Sequence, residues 1–184
     1  MIKSAIFAAG LAFAAAPAFA AETINVPFTA PDGGVTSGLY DGTVQITVSG
    51  YGQSEGSDYN DAFYIFADGS GSPIGPVMDG SYYQLTFGTS TLVGFDPAQD
   101  IKNYLVGPVP VYDSSHTYTF DIVTGASVPT ELHFGVSDGD FADNSGAYLI
   151  TIMQVPELST WAMMLAGFAG LGVVAASRRK SAVA

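Results

Sequence analysis

The chain contains no cysteine, which excludes disulfide bonds, thiol catalysis and cysteine-ligated zinc. Its only histidines are His116 and His133, so a site built on three imidazoles is excluded as well. Basic residues are almost as scarce. Lys102 is the single lysine or arginine between residues 21 and 155, whereas all 17 aspartates and glutamates except Glu157 fall in that range. A surface of this charge repels phosphate backbones, and we therefore expect no nucleic-acid binding.

The first twenty residues, MIKSAIFAAGLAFAAAPAFA, are typical of a secretory signal peptide. Lys3 provides the positive start, an apolar run follows, and the Ala-Phe-Ala stretch that ends at Ala20 has small residues where signal peptidase cuts. We predict cleavage by signal peptidase after Ala20, which places residues 1–20 outside the folded domain. The alternative is a buried N-terminal helix.

A second apolar run, WAMMLAGFAGLGVVAA, begins at Trp161 and is followed by Arg178, Arg179 and Lys180. A membrane-spanning helix needs about 20 apolar residues, so this run reaches that length only with its flanks. Basic residues mark the cytoplasmic side of a membrane helix. We predict a transmembrane helix over 161–177, a cytoplasmic basic tail over 178–184, and an exported domain over 21–154 held at the inner membrane in the precursor.

The stretch VPELSTWAMM, from Val155 to Met164, with the apolar run and the two arginines after it, resembles the PEP-CTERM sorting signal. The resemblance covers 155–184, with the motif itself at 155–160. It implies that a membrane protease of the exosortase type cuts near Pro156 and Glu157, and that the protein reaches the cell surface or the extracellular matrix. Leu158 stands where the family has a second proline, which bears on how efficiently the tail is cut. An ordinary C-terminal membrane anchor is the alternative.

Between these two ends, short runs of alternating apolar residues are separated by turn-forming Gly, Pro, Asp, Asn and Ser. This period of two places one face of a strand on a core and the other toward water. The alternating apolar positions are Val44, Ile46 and Val48; Tyr118, Phe120 and Ile122; Leu132, Phe134 and Val136; and Tyr148, Ile150 and Ile152. The pattern predicts one all-β domain, an antiparallel jelly-roll-like β-sandwich of about seven to nine strands.

Four oxygen-bearing side chains crowd the stretch before the last predicted strand: Asp138, Asp140, Asp143 and Asn144. Calcium takes six to eight oxygen ligands from carboxylates, amides and carbonyls, so this composition indicates a calcium site, with Gly139 and Gly146 allowing the backbone to turn. The spacing does not match an EF-hand. A solvated turn is the alternative, because Asp and Asn favour turns without any metal.

The stretch from Asp138 to Ile152 resembles the last loop and strand of the bacterial galactophilic lectins, a calcium-dependent jelly-roll family. The resemblance implies calcium ligation by the side chains of Asp138, Asp143 and Asn144 and by the carbonyl of Asp140. It also implies one carbonyl from an early loop, near Gln53 or Ser54. In that family sugar hydroxyls complete the metal shell, helped by a histidine-containing middle loop that has no clear counterpart here.

We expect no enzymatic activity, because Ser114 or Ser115 with His116 makes a poor nucleophile and base within one turn. The expected role is that of a calcium-stabilised structural or adhesive protein in an exopolysaccharide matrix or biofilm. The alternative is a calcium-dependent carbohydrate-binding lectin with a polysaccharide partner. The sequence leaves two further features open: tyrosines that would stack on sugars (Tyr51, Tyr59, Tyr82 and Tyr83), and acidic residues that would hold a second cation (Glu55, Asp58 and Asp61).

Overall fold

The computed structural model describes residues 20–53, 59–66, 73–76 and 84–155, together with Gly167. These ranges include Ala20, the last residue of the predicted signal peptide, which is exposed. Within these ranges, no helix has both the length and the apolar character needed to cross a membrane. Outside the described residues lie the rest of the signal peptide, the predicted ligand Ser54, and Glu55 and Asp58, which were considered for a second cation. The sorting residues Pro156, Glu157, Leu158, Arg178 and Arg179, and the predicted transmembrane helix except Gly167, lie outside them as well.

Eleven strands run through the described ranges, more than the seven to nine expected, because several are only two to four residues long. Two short 3-10 turns, Pro97–Gln99 and Ile101–Tyr104, lie between β8 and β9. The strands are β1 Glu22–Pro27, β2 Gly34–Val35, β3 Thr43–Ser49, β4 Gly52–Gln53, β5 Tyr59–Asn60, β6 Tyr64–Phe66, β7 Pro73–Pro76, β8 Leu85–Gly88, β9 Thr117–Val123, β10 His133–Val136 and β11 Ser145–Gln154.

The larger sheet is organised around β11, which pairs antiparallel with β1, β3 and β4. Strands β3 and β4 keep a single register on β11, so that residues 43–53 act as one long partner interrupted at Gly50 and Tyr51. Strand β9 pairs with β3, β5 pairs with β4, and β6 and β7 follow β5. The smaller sheet has the order β2-β10-β8.

Both sheets contribute to one apolar core, which confirms the predicted alternation of buried residues. Ile46 and Tyr148 from the larger sheet and Phe87 and Phe134 from the smaller sheet are all fully buried in the same cluster. Burying one such side chain stabilises the fold by about 1.5–3 kcal/mol. The all-β prediction is therefore confirmed, and the two antiparallel sheets are consistent with a β-sandwich.

Two glycines permit the close approach of strands at one end of the larger sheet. Gly50 and Gly146 both have φ near +101°, a conformation that side chains disfavour. A Cβ at Gly50 would lie 2.6 Å from the carbonyl oxygen of Ala147, and one at Gly146 would lie 2.6 Å from the Cα of Gly52. Gly146, where the sequence predicts a turn, lies within β11 and has a positive φ, whereas Gly139 has no positive φ.

The strand pairings define two opposite ends of the domain. Glu22, at the start of β1, pairs with Ile152 near the end of β11, and the amide of Val155 donates to the carbonyl of Thr43. We call this the proximal end. The loop of residues 138–144 precedes the first residue of β11 and therefore lies at the other end, which we call the loop end.

The carboxylate of Glu22 fastens the start of β1 to the chain that follows β2. It accepts hydrogen bonds from the amide (2.6 Å) and hydroxyl (2.9 Å) of Ser37, the amide of Gly38 (2.9 Å) and the hydroxyl of Tyr40 (3.0 Å). Burial acts to raise the pKa of Glu22, but these hydrogen bonds together outweigh it and hold the pKa below the ordinary 4.5. Burial, and then the bond to Glu22, raises the pKa of Tyr40 to about 12.

Replacing Glu22 by glutamine is expected to make the domain less stable at neutral pH and to remove part of its acid sensitivity. A depressed carboxyl pKa contributes stability that is present above the unfolded-state value and is lost as the pH falls through the folded-state value. We expect a loss of about 1 kcal/mol, because the carboxylate is partly solvated. Urea unfolding from pH 7 down to pH 3 measures this loss. The difference in free energy of unfolding between wild type and E22Q should become smaller below about pH 4.5. The exposed Glu131→Gln is the control, and a gap independent of pH would contradict the expectation.

Candidate metal centre

The loop between β10 and β11 is shaped by its own aspartates. Oδ1 of Asp138 accepts hydrogen bonds from the amides of Gly139 and Asp140, and Oδ1 of Asp140 accepts one from the amide of Ala142 (3.0 Å). Aspartate side chains commonly stabilise turns in this way. These contacts use one oxygen of each carboxylate and direct the backbone toward the start of β11.

Two of the predicted ligands are buried, and each keeps one oxygen without a partner. Asp138 is 6% exposed and Asn144 is 7% exposed. The side-chain amide nitrogen of Asn144 donates to the carbonyl of Phe28 (3.0 Å), which ties the loop to the segment after β1. Among the described residues, Oδ2 of Asp138 and Oδ1 of Asn144 accept no hydrogen bond. Both unpartnered atoms are electron-pair donors on one seven-residue loop.

Among the described residues, no lysine or arginine forms an ion pair with Asp138. Lys102, the single lysine or arginine between residues 21 and 155, forms an ion pair with Asp100 (3.2 Å). A buried polar atom without a partner costs about 1–3 kcal/mol, and more when it is charged. A cation bound to either oxygen would remove the cost at that atom.

The remaining predicted ligands are placed less deeply. Asp140 and Asp143 are exposed, and within the described ranges no three His, Asp or Glu side chains are grouped so as to hold a metal. Gln53, one of the two residues predicted to supply a carbonyl from the early loop, pairs with Ser145, the residue directly after Asn144. Ser54 follows Gln53 but lies outside the described residues.

The donor set at this loop fits a hard cation. Asp138 supplies a carboxylate oxygen and Asn144 an amide oxygen, the two kinds of side-chain ligand that calcium prefers. Calcium completes a shell of six to eight oxygens with backbone carbonyls and water, so a cluster of three carboxylates is not required. With no thiol in the chain and no imidazole in this loop, the site does not suit zinc.

An exposed aromatic side chain lies between β3 and β4, the two strands that pair with β11 after the loop of residues 138–144. Tyr51, between β3 and β4, is exposed, and its ring centroid lies 6.3 Å from that of Tyr59 and 4.9 Å from that of His116. His116 also contacts Phe66, with centroids 4.8 Å apart. Two of the four tyrosines considered for sugar stacking therefore lie together, and Tyr82 and Tyr83 lie outside the described residues.

A buried carboxylate, Asp61, is the hub of a network that sequence reasoning missed. Its Oδ1 accepts from the amides of Phe63 (2.9 Å) and Tyr64 (2.8 Å), and its Oδ2 accepts from the hydroxyl of Tyr118 (2.6 Å) and lies 3.0 Å from Nδ1 of His116. Burial, and next the bond to Asp61, raises the pKa of Tyr118, so this hydroxyl remains a donor. Both oxygens of Asp61 thus contact protein groups, and this arrangement fits a structural role for the carboxylate.

The second histidine forms a similar pair. Nδ1 of His133 lies 2.9 Å from Oδ2 of Asp32, and both side chains are partly buried. His133 lies in β10, and the sequence gives no sign of its aspartate partner, which is far away along the chain. No local motif marks either pair, because each joins a turn or strand to a distant loop.

Comparisons with family models, with curated proteins and with solved structures found no match to this chain.

Proposed function

We propose that the protein is an exported, non-enzymatic β-sandwich of the jelly-roll type that calcium stabilises at the loop end. Its role is structural or adhesive at the cell surface or in an exopolysaccharide matrix. The precursor follows a PEP-CTERM route: signal peptidase cuts after Ala20, the helix over 161–177 holds the chain in the inner membrane, and an exosortase-type protease cuts near Pro156.

The observation that carries the calcium proposal is the pair of buried, unpartnered oxygens, Oδ2 of Asp138 and Oδ1 of Asn144. A chain without disulfides and with a strongly acidic domain benefits from a cation that binds only the native state. Such a cation would link the loop to β1 through Asn144 and Phe28, which are already hydrogen-bonded. In the proposed assignment Asp140 and Asp143 supply further oxygens at the outer side of the loop.

Thermal unfolding of residues 21–155 in excess calcium and in excess chelator tests this proposal. We expect calcium to add about 2.7 kcal/mol when its concentration is 100 times the dissociation constant, a rise in Tm on the order of 5–10 °C. Magnesium should act more weakly, because it releases its waters reluctantly. The matched control is Asp113→Asn, an exposed turn aspartate outside the loop, which should keep the full calcium response. Identical melting curves in calcium and chelator would remove the metal from the proposal.

The second candidate function, a calcium-dependent lectin, is favoured by one observation. The exposed ring of Tyr51 lies near Tyr59 on strands adjacent to the loop, and exposed aromatic rings are common stacking surfaces for ligands. A glycan array separates the two functions. Glycan binding that chelator abolishes and that Tyr51→Ala weakens supports the lectin, whereas the absence of glycan binding supports the structural role.

A further inference from the structure

Both predicted apolar segments join the domain at its proximal end. Residue 20 is separated from Glu22 by a single residue, and Glu22 pairs with Ile152 on the neighbouring strand. Strand β11 then ends at Gln154, and the amide of Val155 bonds to Thr43 at the same end. The chain therefore enters and leaves the sheet side by side, on two adjacent strands.

The connection to the predicted membrane helix is short. Only residues 156–160 separate Val155 from the apolar run that starts at Trp161. An extended chain covers at most about 3.6 Å per residue, so the covalent reach from Val155 to Trp161 is at most about 22 Å. Whenever the helix spans a bilayer, the proximal end must therefore stay near the lipid surface.

Exposed apolar side chains lie on the segments next to the point of exit. Leu39 is 61% exposed, Val123 is 48% exposed and Val128 is 66% exposed. Val123 pairs with Thr43, the residue that bonds to Val155. The segments that carry Leu39 and Val128 are joined next to it, since Tyr40 and Thr130 form a β-bridge and the amide of Thr124 donates to Gly42.

The charges of the domain are distributed in a way that favours one orientation. The acidic loop lies at the opposite end of β11, a ten-residue strand that spans about 30 Å at 3.4 Å per residue. The proximal end carries the acidic residues Glu22, Asp41 and Glu131, and its described segments, 20–23, 37–44, 122–131 and 152–155, contain no lysine or arginine. Its contact with lipid therefore rests on apolar side chains, at the depth of the headgroups, and suits a zwitterionic surface better than an anionic one.

We propose that the proximal end rests on the bilayer through Leu39, Val123 and Val128 while the precursor is anchored, so that the loop end points away from the membrane. This orientation rests on the proposed function, since it needs the helix over 161–177 to span the bilayer. It keeps the calcium loop and Tyr51 in the medium outside the membrane. It also presents the stretch after Val155 at the lipid surface, where a membrane protease acts.

Site-specific fluorescence quenching tests the orientation. The chain has no native cysteine, so Leu39→Cys, Val128→Cys and Ser115→Cys each give one labelling site in the full chain. Ser115 is exposed in the turn before β9, whose first residue pairs with Ser49, and it therefore marks the loop end. Each labelled protein is reconstituted into phosphatidylcholine vesicles that contain a lipid with a headgroup nitroxide. We expect quenching to be several-fold stronger for labels at positions 39 and 128 than for a label at 115.

Two outcomes separate the orientation from the anchor on which it depends. Equal quenching of the three labels, in protein that floats with the vesicles, would overturn the orientation and leave the anchor intact. Protein that does not float with vesicles would remove the anchor, and the orientation with it. A second variant makes the apolar contact itself testable: Leu39→Asp in the Val128→Cys chain should reduce quenching at 128, and unchanged quenching would show that Leu39 does not hold the end on lipid.

Discussion

Replacing Asp61 by alanine is expected to lower the free energy of unfolding by about 3–5 kcal/mol, the largest loss we expect from any single change to a polar side chain of this domain. For a domain of this size the corresponding fall in Tm is on the order of 10–20 °C. Denaturant unfolding of residues 21–155, followed by circular dichroism, measures the loss directly.

The physical reason is the number of donors that Asp61 alone satisfies. Its side chain is fully buried and accepts hydrogen bonds from two amides and from the hydroxyl of Tyr118, and its Oδ2 also contacts His116. Alanine would leave these groups in the interior without an acceptor, and each unsatisfied buried donor costs about 1–3 kcal/mol. The amides of Phe63 and Tyr64 belong to the turn into β6, so the damage would reach the strands beside Tyr51.

Milder variants keep this prediction measurable if the alanine variant does not fold. Asp61→Asn retains an acceptor for the two amides and should lose less than alanine. Tyr118→Phe removes one donor together with its need for a partner, and should cost about 1 kcal/mol. Asp143→Ala, at an exposed aspartate, is the matched control and should leave stability in chelator within about 0.5 kcal/mol of wild type. A loss of less than 1 kcal/mol for Asp61→Ala would show that the network does not hold the fold together.

Local pattern was sufficient to predict most of the strand content and the buried faces. Val44, Ile46 and Val48 alternate with polar neighbours, and all three are buried as the period of two requires. The positive φ of Gly146 agrees with its place in an Asp-Asn-Ser-Gly sequence of turn formers, although this glycine lies within β11. These features depend on a few neighbouring residues, which is why they can be read from the chain alone.

Long-range contacts had no comparable signal. Strands β4 and β5 are two residues long, too short to show any period, and they form because β4 pairs with β11 and β5 pairs with β4. The contact between Asn144 and the carbonyl of Phe28 joins positions 116 residues apart. The pairing of Asp61 with His116 likewise depends on the approach of two distant loops. The sequence therefore indicates that His116 lies in a turn but does not indicate that Asp61 is its partner.

The same limit applies to the candidate metal centre. The crowding of Asp138, Asp140 and Asp143 in the sequence does not show which of these carboxylates is buried, and the structure gives them different surroundings. Asp138 and Asn144 point into the protein because the backbone turns at the loop bury them, whereas Asp140 and Asp143 face solvent. The folded loop thus determines which acidic side chain is destabilised by burial. This difference between Asp138 and the exposed aspartates allows a sharper test than the addition of calcium alone.

Replacing Asp138 by asparagine is expected to reverse its effect on stability when calcium is added. In chelator the substitution removes a buried carboxylate that no lysine or arginine of the described ranges balances, so we expect D138N to be more stable than wild type by about 1–3 kcal/mol. In saturating calcium wild type gains the binding free energy, and D138N, having lost the charged ligand, gains little. The two proteins should therefore change order between the two conditions.

Paired melting curves of wild type and D138N, each in calcium and in chelator, measure this reversal. Asn144→Asp is the complementary variant, since it adds a second carboxylate at the other unpartnered oxygen: it should be less stable than wild type in chelator and should respond more strongly to calcium. Asp140→Asn, at an exposed loop position, should change the calcium response only modestly and leave the stability in chelator near that of wild type. If D138N is less stable than wild type by the same amount in both conditions, Asp138 acts only through its hydrogen bonds to Gly139 and Asp140, and the loop is a turn without a metal.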